Sequence, residues 1–153
     1  MKLIVESDIN KCKLVKEEVQ DPTKPKTVII EGVFAQANRV NGNNRRYPYE
    51  VLATAIEEFQ DKIQSKQALS ELEHPESCTI NPDRVCARTL SLVEDNESWI
   101  GRSVVLASDP KFGIKGTPCG DILNSLLQFD CAVGHSTRGV GNVNEKTGEV
   151  DEY

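Results

Sequence analysis

The sequence is poor in the groups that most often announce a chemistry. Its 153 residues include two histidines, one methionine and one tryptophan, and aromatic residues make up 5%. No apolar run approaches the ~20 residues that a membrane-spanning helix needs, so a membrane protein is not expected. The opening, MKLIVESDINKCK, has a short apolar run that ends at Glu6 and Asp8. It does not read as a signal peptide, and a cytosolic chain is expected. A long basic tract is missing too. With a net charge of −6 and short basic spots at Arg45-Arg46 and Arg138, binding to nucleic acid through phosphate contacts is not expected. There is no CxxC pair. Five cysteines, Cys12, Cys78, Cys86, Cys119 and Cys131, stand at irregular spacing, so free thiols in a reducing compartment are the simplest reading. Internal repeats and low-complexity tracts are also lacking.

What is present suits a soluble folded domain. Hydrophobic residues make up 38% and charged ones 27%, and the length fits a single domain, residues 1–153, around one core. Residues 2–6 read as a short strand, and residues 10–26, charged and containing DPTKPK, as an irregular connection. The β-branched run TVIIEGVFAQA predicts a central strand, with Gly32 marking a bulge or a close backbone approach. A turn-rich loop, NRVNGNNRRYP, follows. Leu52, Ala55, Ile56, Phe59 and Ile63 then recur at helical spacing, which predicts a helix over 49–64 with Pro48 at its start.

ALSELEHPESCTINPD reads as a largely irregular link. RVCARTLSLVED and SWIGRSVVLA, parted by DNE, predict a hairpin. A Gly/Pro-rich loop leads to DILNSLLQF, a short amphipathic helix, and then to CAVGHSTRGVGNV, strand-like and afterwards glycine-rich. The final VDEY reads as the beginning of a returning strand. A truncated or self-processed C-terminal end, or an edge completed by a partner, is therefore expected. The order β, α, ββ, α, β predicts an α+β fold, an antiparallel sheet or barrel flanked by helices.

Two strings could carry chemistry. In GHSTRGVG, Ser136 ends a small strand ahead of Arg138 and flexible glycines, which suits a nucleophile with free backbone N–H groups nearby; it suits an ordinary turn serine as well. In ELEHPESCTINPDRV, His74 precedes a proline and is either a helix stop or a base. A serine nucleophile needs a base, and His74 and His135 are the two histidines. Neighbouring strand residues point to opposite faces, so His135 is badly placed for Ser136 and His74 is the better candidate. A metal site from His74, Cys78 and Cys86 with Cys12 or Cys131 can be drawn, but H-x3-C and C-x7-C are not spacings of a common zinc module. A cysteine nucleophile, Cys78 or Cys131, is a further weak alternative. No cofactor or metal is expected.

Taken together, IEGVFAQANRVNGNNRRYP, KQALSELEHP, INPDRV and GHSTRGVG, in that order, resemble the prohead proteases of large contractile-tailed phages. These are capsid-maturation serine proteases that share a fold with herpesvirus assemblin proteases. The resemblance runs from about Thr27 to Gly141. It implies an antiparallel β-barrel or sheet flanked by helices, with His74 and Ser136 as base and nucleophile. The family's third member falls near Asp83, with Asn81 as the alternative. Where the family usually has a small apolar residue, this chain has His135.

The resemblance further implies an oxyanion site at Arg138 and Gly139, and Arg45, Arg46 and Arg138 as cations for a glutamate side chain of the substrate. The substrates would be phage scaffold or core proteins and the major capsid protein, cut after glutamate inside the prohead in the host cytoplasm, with a homo-oligomer possible. A non-catalytic capsid-assembly module that binds scaffold is the alternative.

Overall fold

The computed structural model describes residues 2–5, 10–11, 13–17, 21–73, 77 and 79–153. In chain order the strands are β1 (Lys2–Val5), β2 (Asn10–Lys11), β3 (Lys13–Glu17), β4 (Thr27–Gln36), β5 (Leu69–Glu71), β6 (Val85–Asp95), β7 (Ser98–Val105), β8 (Gly134–His135), β9 (Arg138–Val143) and β10 (Val150–Glu152). The helices are α1 (Tyr49–Gln64) and α2 (Pro118–Gln128). Five strands form one sheet in the order β3-β4-β7-β6-β5, three form β1-β9-β10, and β2 pairs with β8. All of these pairings are antiparallel. The expected α+β class with antiparallel sheets and helices is what the chain adopts.

The β-branched run of β4 sits between β3 and β7, as its composition predicts for a central strand. Its bulge falls two residues after Gly32. Val33 pairs with Ile100 and Ala35 with Trp99, so Phe34 is the extra residue. Along β7 every second residue is buried, from Trp99 to Val105. That buried face carries both helices. Leu52 and Ile56 of α1 pack with Trp99 at one end, and Leu123 of α2 packs with Val105 and Ile30 at the other. Each such aliphatic side chain contributes about 1.5–3 kcal/mol on burial.

Helix α1 has the predicted bounds, with Pro48 as its N-cap residue. Helix α2 starts at Pro118 rather than at Asp121, because Thr117 caps it: the Thr117 hydroxyl accepts a hydrogen bond from the Gly120 amide at 2.9 Å. The β6–β7 hairpin turns through Asn96 and Glu97, both left-handed at φ 51° and 64°, as a two-residue loop demands.

One expectation is corrected. Residues 10–26 are not simply an irregular connection, since β2 and β3 lie there and β3 adds to the edge of β4 with Val15 opposite Ile29. The link after α1, expected to be largely irregular, also holds β5, which pairs with β6, Ser70 opposite Ala87. Both strands are short, polar additions to an existing sheet, where ladder pairing outweighs a weak local pattern. The returning strand is present: β10 pairs with β9, Val150 opposite Val143.

Candidate active site

Ser136 and Thr137 form the step between β8 and β9. The residue before the serine is fixed by a stack of three groups. Gly101 of β7 leaves room for the bulged Phe34; a Cβ there would sit 2.1 Å from the Phe34 ring. The Phe34 ring lies flat on the His135 imidazole, with centroids 3.6 Å apart and 2° between the planes. His135 Nδ1 is buried without a hydrogen-bond partner among the described residues. Burial disfavours the imidazolium and pushes the His135 pKa down to about 4. This histidine is therefore a neutral packing group at pH 7 and a weak base, whereas general-base catalysis works best with a pKa near the operating pH.

The serine step opens on a cleft of about 220 Å³. Phe34, Ala35, Tyr47 and Leu52 give it apolar walls, and Gln36 and Asn41 supply amides. Arg39, exposed on the loop after β4, is the one lining residue among those described that carries a full charge. The loop itself is held by its own asparagines. The Asn41 side-chain oxygen accepts hydrogen bonds from the Asn43 and Arg45 amides at 2.9 and 3.1 Å. Asn38 and Asn44 adopt left-handed φ values of 58° and 57°, which asparagine tolerates better than most residues.

The other arginines lie elsewhere. Arg46 donates to the Glu149 carboxylate at 2.8 Å and to Asn38 Oδ1 at 3.3 Å, tying the loop to the turn before β10. Arg45 lines a separate groove of about 440 Å³ with Lys2, Glu145 and Lys146. Arg138 turns inward and donates from Nη2 to Glu71 Oε1 at 2.5 Å. The Glu71 side chain is 3% exposed and that of Arg138 is 18%. Glu71 Oε1 also accepts from the Asn81 amide at 3.2 Å. One carboxylate thus joins the end of β5, the turn at 81–84 and the start of β9.

His74, together with Glu76, Cys12 and Cys78, lies outside the described residues. Of the two candidates for its partner, Asn81 spends its side-chain oxygen capping the turn Pro82–Arg84, accepting from the Asp83 amide at 3.0 Å. Asp83 is exposed, and its backbone carbonyl accepts from the Cys119 thiol. Gly139 is a packing position: a Cβ there would meet the Tyr153 ring at 2.8 Å. Cys86 is buried, with its thiol pushed up to about 11 by that burial, and Cys131 is exposed. Among the described residues no group of three His, Cys, Asp or Glu side chains is placed to hold a metal ion. No described helix is long and apolar enough to cross a membrane.

Sequence reasoning missed Phe34, Arg39 and Glu71. Arg39 and Glu71 stand inside the quoted strings, but their roles follow from contacts across the fold. Glu71 and Arg138 are 67 positions apart.

Three comparisons bear on this geometry. The family model of the prohead core protein serine protease matches residues 2–152. A prohead core protein protease of Enterobacteria phage T4 is 31% identical over 117 residues, covering 76% of this chain and 52% of that protein. The match thus spans about half the length of that curated relative. A solved structure of the bacteriophage T4 capsid assembly protease, gp21, aligns with a TM-score of 0.82 at 25% identity, covering 99% of this chain and 90% of the other. With the family model matching nearly the whole length and the fold agreeing with a solved capsid assembly protease, the chain belongs to the prohead core protein serine protease family.

Proposed function

We propose that this chain is a serine endopeptidase of prohead maturation that acts on phage scaffold or core proteins and the major capsid protein within the assembling prohead. Ser136 is the nucleophile and His74 the base. His74 takes the Ser136 hydroxyl proton as the oxygen attacks a peptide carbonyl, and a tetrahedral oxyanion forms. Backbone N–H groups near Arg138 and Gly139 hold that oxyanion. His74 then gives the proton to the leaving amine, and water releases the acyl group from Ser136. Asp83 or Asn81 orients the imidazole. Of the two, Asp83 keeps a carboxylate unspent among the described residues, whereas the Asn81 oxygen is engaged in its cap.

The observation that carries this reading is the presence of Ser136 in the lining of a cleft large enough for side chains of an extended peptide. The family match and the T4 relatives support the reaction and the assembly context. Substrate preference follows from the lining. A carboxylate on the substrate, the glutamate of the expected cut site, meets Arg39 in this cleft rather than Arg45 or Arg46, which face other partners. The test is labelling by a fluorophosphonate, read by intact mass, alongside cleavage of a glutamate-containing scaffold peptide. One adduct is expected, lost in Ser136→Ala. An adduct retained in that variant, or undiminished cleavage by it, rules the reading out.

A further inference from the structure

Arg138 sits two residues beyond Ser136, where a free guanidinium would be a natural partner for an oxyanion or for a substrate carboxylate. The geometry assigns it a different part. Its Nη2 is committed to Glu71 Oε1 at 2.5 Å, and the receiving carboxylate is almost completely shielded, at 3% exposure. The same oxygen holds the Asn81 amide. Glu71 Oε2 is buried and has no hydrogen-bond partner among the described residues. A buried ion pair of this kind adds little net stability, because desolvation offsets the attraction. Breaking it from one side, however, strands a charge. Its value lies in the geometry it enforces.

That geometry joins three distant segments. Glu71 ends β5, Asn81 opens the turn Pro82–Arg84, and Arg138 begins β9 directly after the serine step. We infer that the Glu71–Arg138 pair is a positioning strut, which fixes the Ser136–Thr137 step against β5 and the 81–84 turn, and that the guanidinium acts on the fold of the site rather than on substrate. Glu71 and Arg138 are then positioning residues for the hydrolysis proposed above, and the inference rests on that reading for its catalytic consequence. Its structural part stands separately.

The two parts are tested together on the full chain with Glu71→Gln, Arg138→Gln and the double variant, in which two neutral amides face each other. Hydrogen–deuterium exchange of the peptide spanning 136–141 reads the strut whether or not the protein is active. Faster exchange is expected in both single variants, with the double no worse than either single. Peptide hydrolysis should fall by about tenfold to a hundredfold in kcat in each single variant, the scale of a small misplacement of a reacting group. KM should hold, and the losses should be non-additive in the double variant. A role in global stability alone would lower the melting temperature and leave kcat of the folded enzyme unchanged.

Unchanged exchange in Glu71→Gln overturns the strut. So does a large kcat loss in Arg138→Gln with none in Glu71→Gln, which is the pattern of direct contact with the oxyanion. If neither single variant folds, the neutral double variant decides: slow exchange with wild-type kcat overturns the inference, and partial recovery supports it. A wild-type chain that neither hydrolyses peptide nor reacts with the fluorophosphonate, yet loses protection in Glu71→Gln, overturns the protease reading and not the strut.

Discussion

Phe34 lies flat against His135, the residue immediately before Ser136. A bulge in β4 thereby supports the serine step from below, and it makes a core substitution a functional one. Phe34→Ala removes the ring and leaves a cavity. A stability loss of about 3–5 kcal/mol is expected from urea denaturation. Peptide hydrolysis by the fraction that remains folded should fall as well. Retained stability would mean that the ring contributes little packing.

Gly101→Ala tests the same stack from the other side. The added Cβ would lie 2.1 Å from the Phe34 ring, so the ring must move. Overpacking of this kind costs about 1–3 kcal/mol. Displacing Phe34 admits water to His135, so the His135 pKa should rise from about 4 towards 6.5 in an NMR titration.

His135 also sets an acid sensitivity. Its folded pKa lies near 4, below the ordinary value of 6.5. Between those values the unfolded chain binds a proton that the folded chain excludes, so stability rises with pH across the window. The contribution is complete above pH 6.5 and is lost as the pH falls towards 4. The slope from this one group is at most about 1.4 kcal/mol per pH unit. His135→Gln should flatten that part of the stability profile; an unaltered slope would refute the assignment.

Arginines that neighbour one another in the sequence should behave differently. Arg39→Gln should raise KM about tenfold or more for a glutamate peptide and leave the matching glutamine peptide unaffected, since a charge-assisted hydrogen bond is worth about 1.5–3 kcal/mol. Arg45→Gln should leave KM for both peptides unchanged. Arg46→Ala breaks a pair whose side chains are 39% and 44% exposed, so it should cost under about 1 kcal/mol in thermal denaturation. Equal effects of Arg39 and Arg45 on KM would remove the cleft as the site of recognition.

The short 81–84 turn holds the two partners proposed for His74. Asn81→Ala loses a cap and should cost about 0.5–2 kcal/mol. Asp83→Ala should change stability by less than about 0.5 kcal/mol. If Asp83 orients the imidazole, its removal should cut kcat far more than it cuts stability. The reverse ranking in kcat would make Asn81 the orienting residue.

Much of the frame could be read from the chain. The helical recurrence from Leu52 to Ile63, the β-branched run of β4 and the two long strands around Asn96-Glu97 each carry their own period, so local pattern and final structure agree. The sequence marks the helix cap at Thr117 less clearly, and α2 begins at Pro118, ahead of the predicted start at Asp121. Strands β3 and β5 have no adequate signal of their own, since they form by adding to an edge. The candidate site could be proposed from residue types in ordered strings, with Ser136 directly after a small strand. Its wiring could not. No local pattern pairs Glu71 with Arg138 or places Arg39, instead of Arg45, beside the serine, because those relations come from how strands 67 positions apart are packed.

Strand β9, which carries the chain away from Ser136, has a neighbour on each edge: β1 opposite Arg138 and Gly139, and β10 opposite Asn142 and Val143. To open after Ser136, the chain must give up the β1 ladder from Arg138 to Gly141 and, further along, the β10 ladder at Asn142 and Val143. The serine step therefore belongs to a cooperative unit rather than to a fraying loop, and its openings should track sub-global unfolding. The asparagine-rich loop that lines the same cleft is held less firmly, since its Arg46–Glu149 tie is half-exposed and readily exchanged for water.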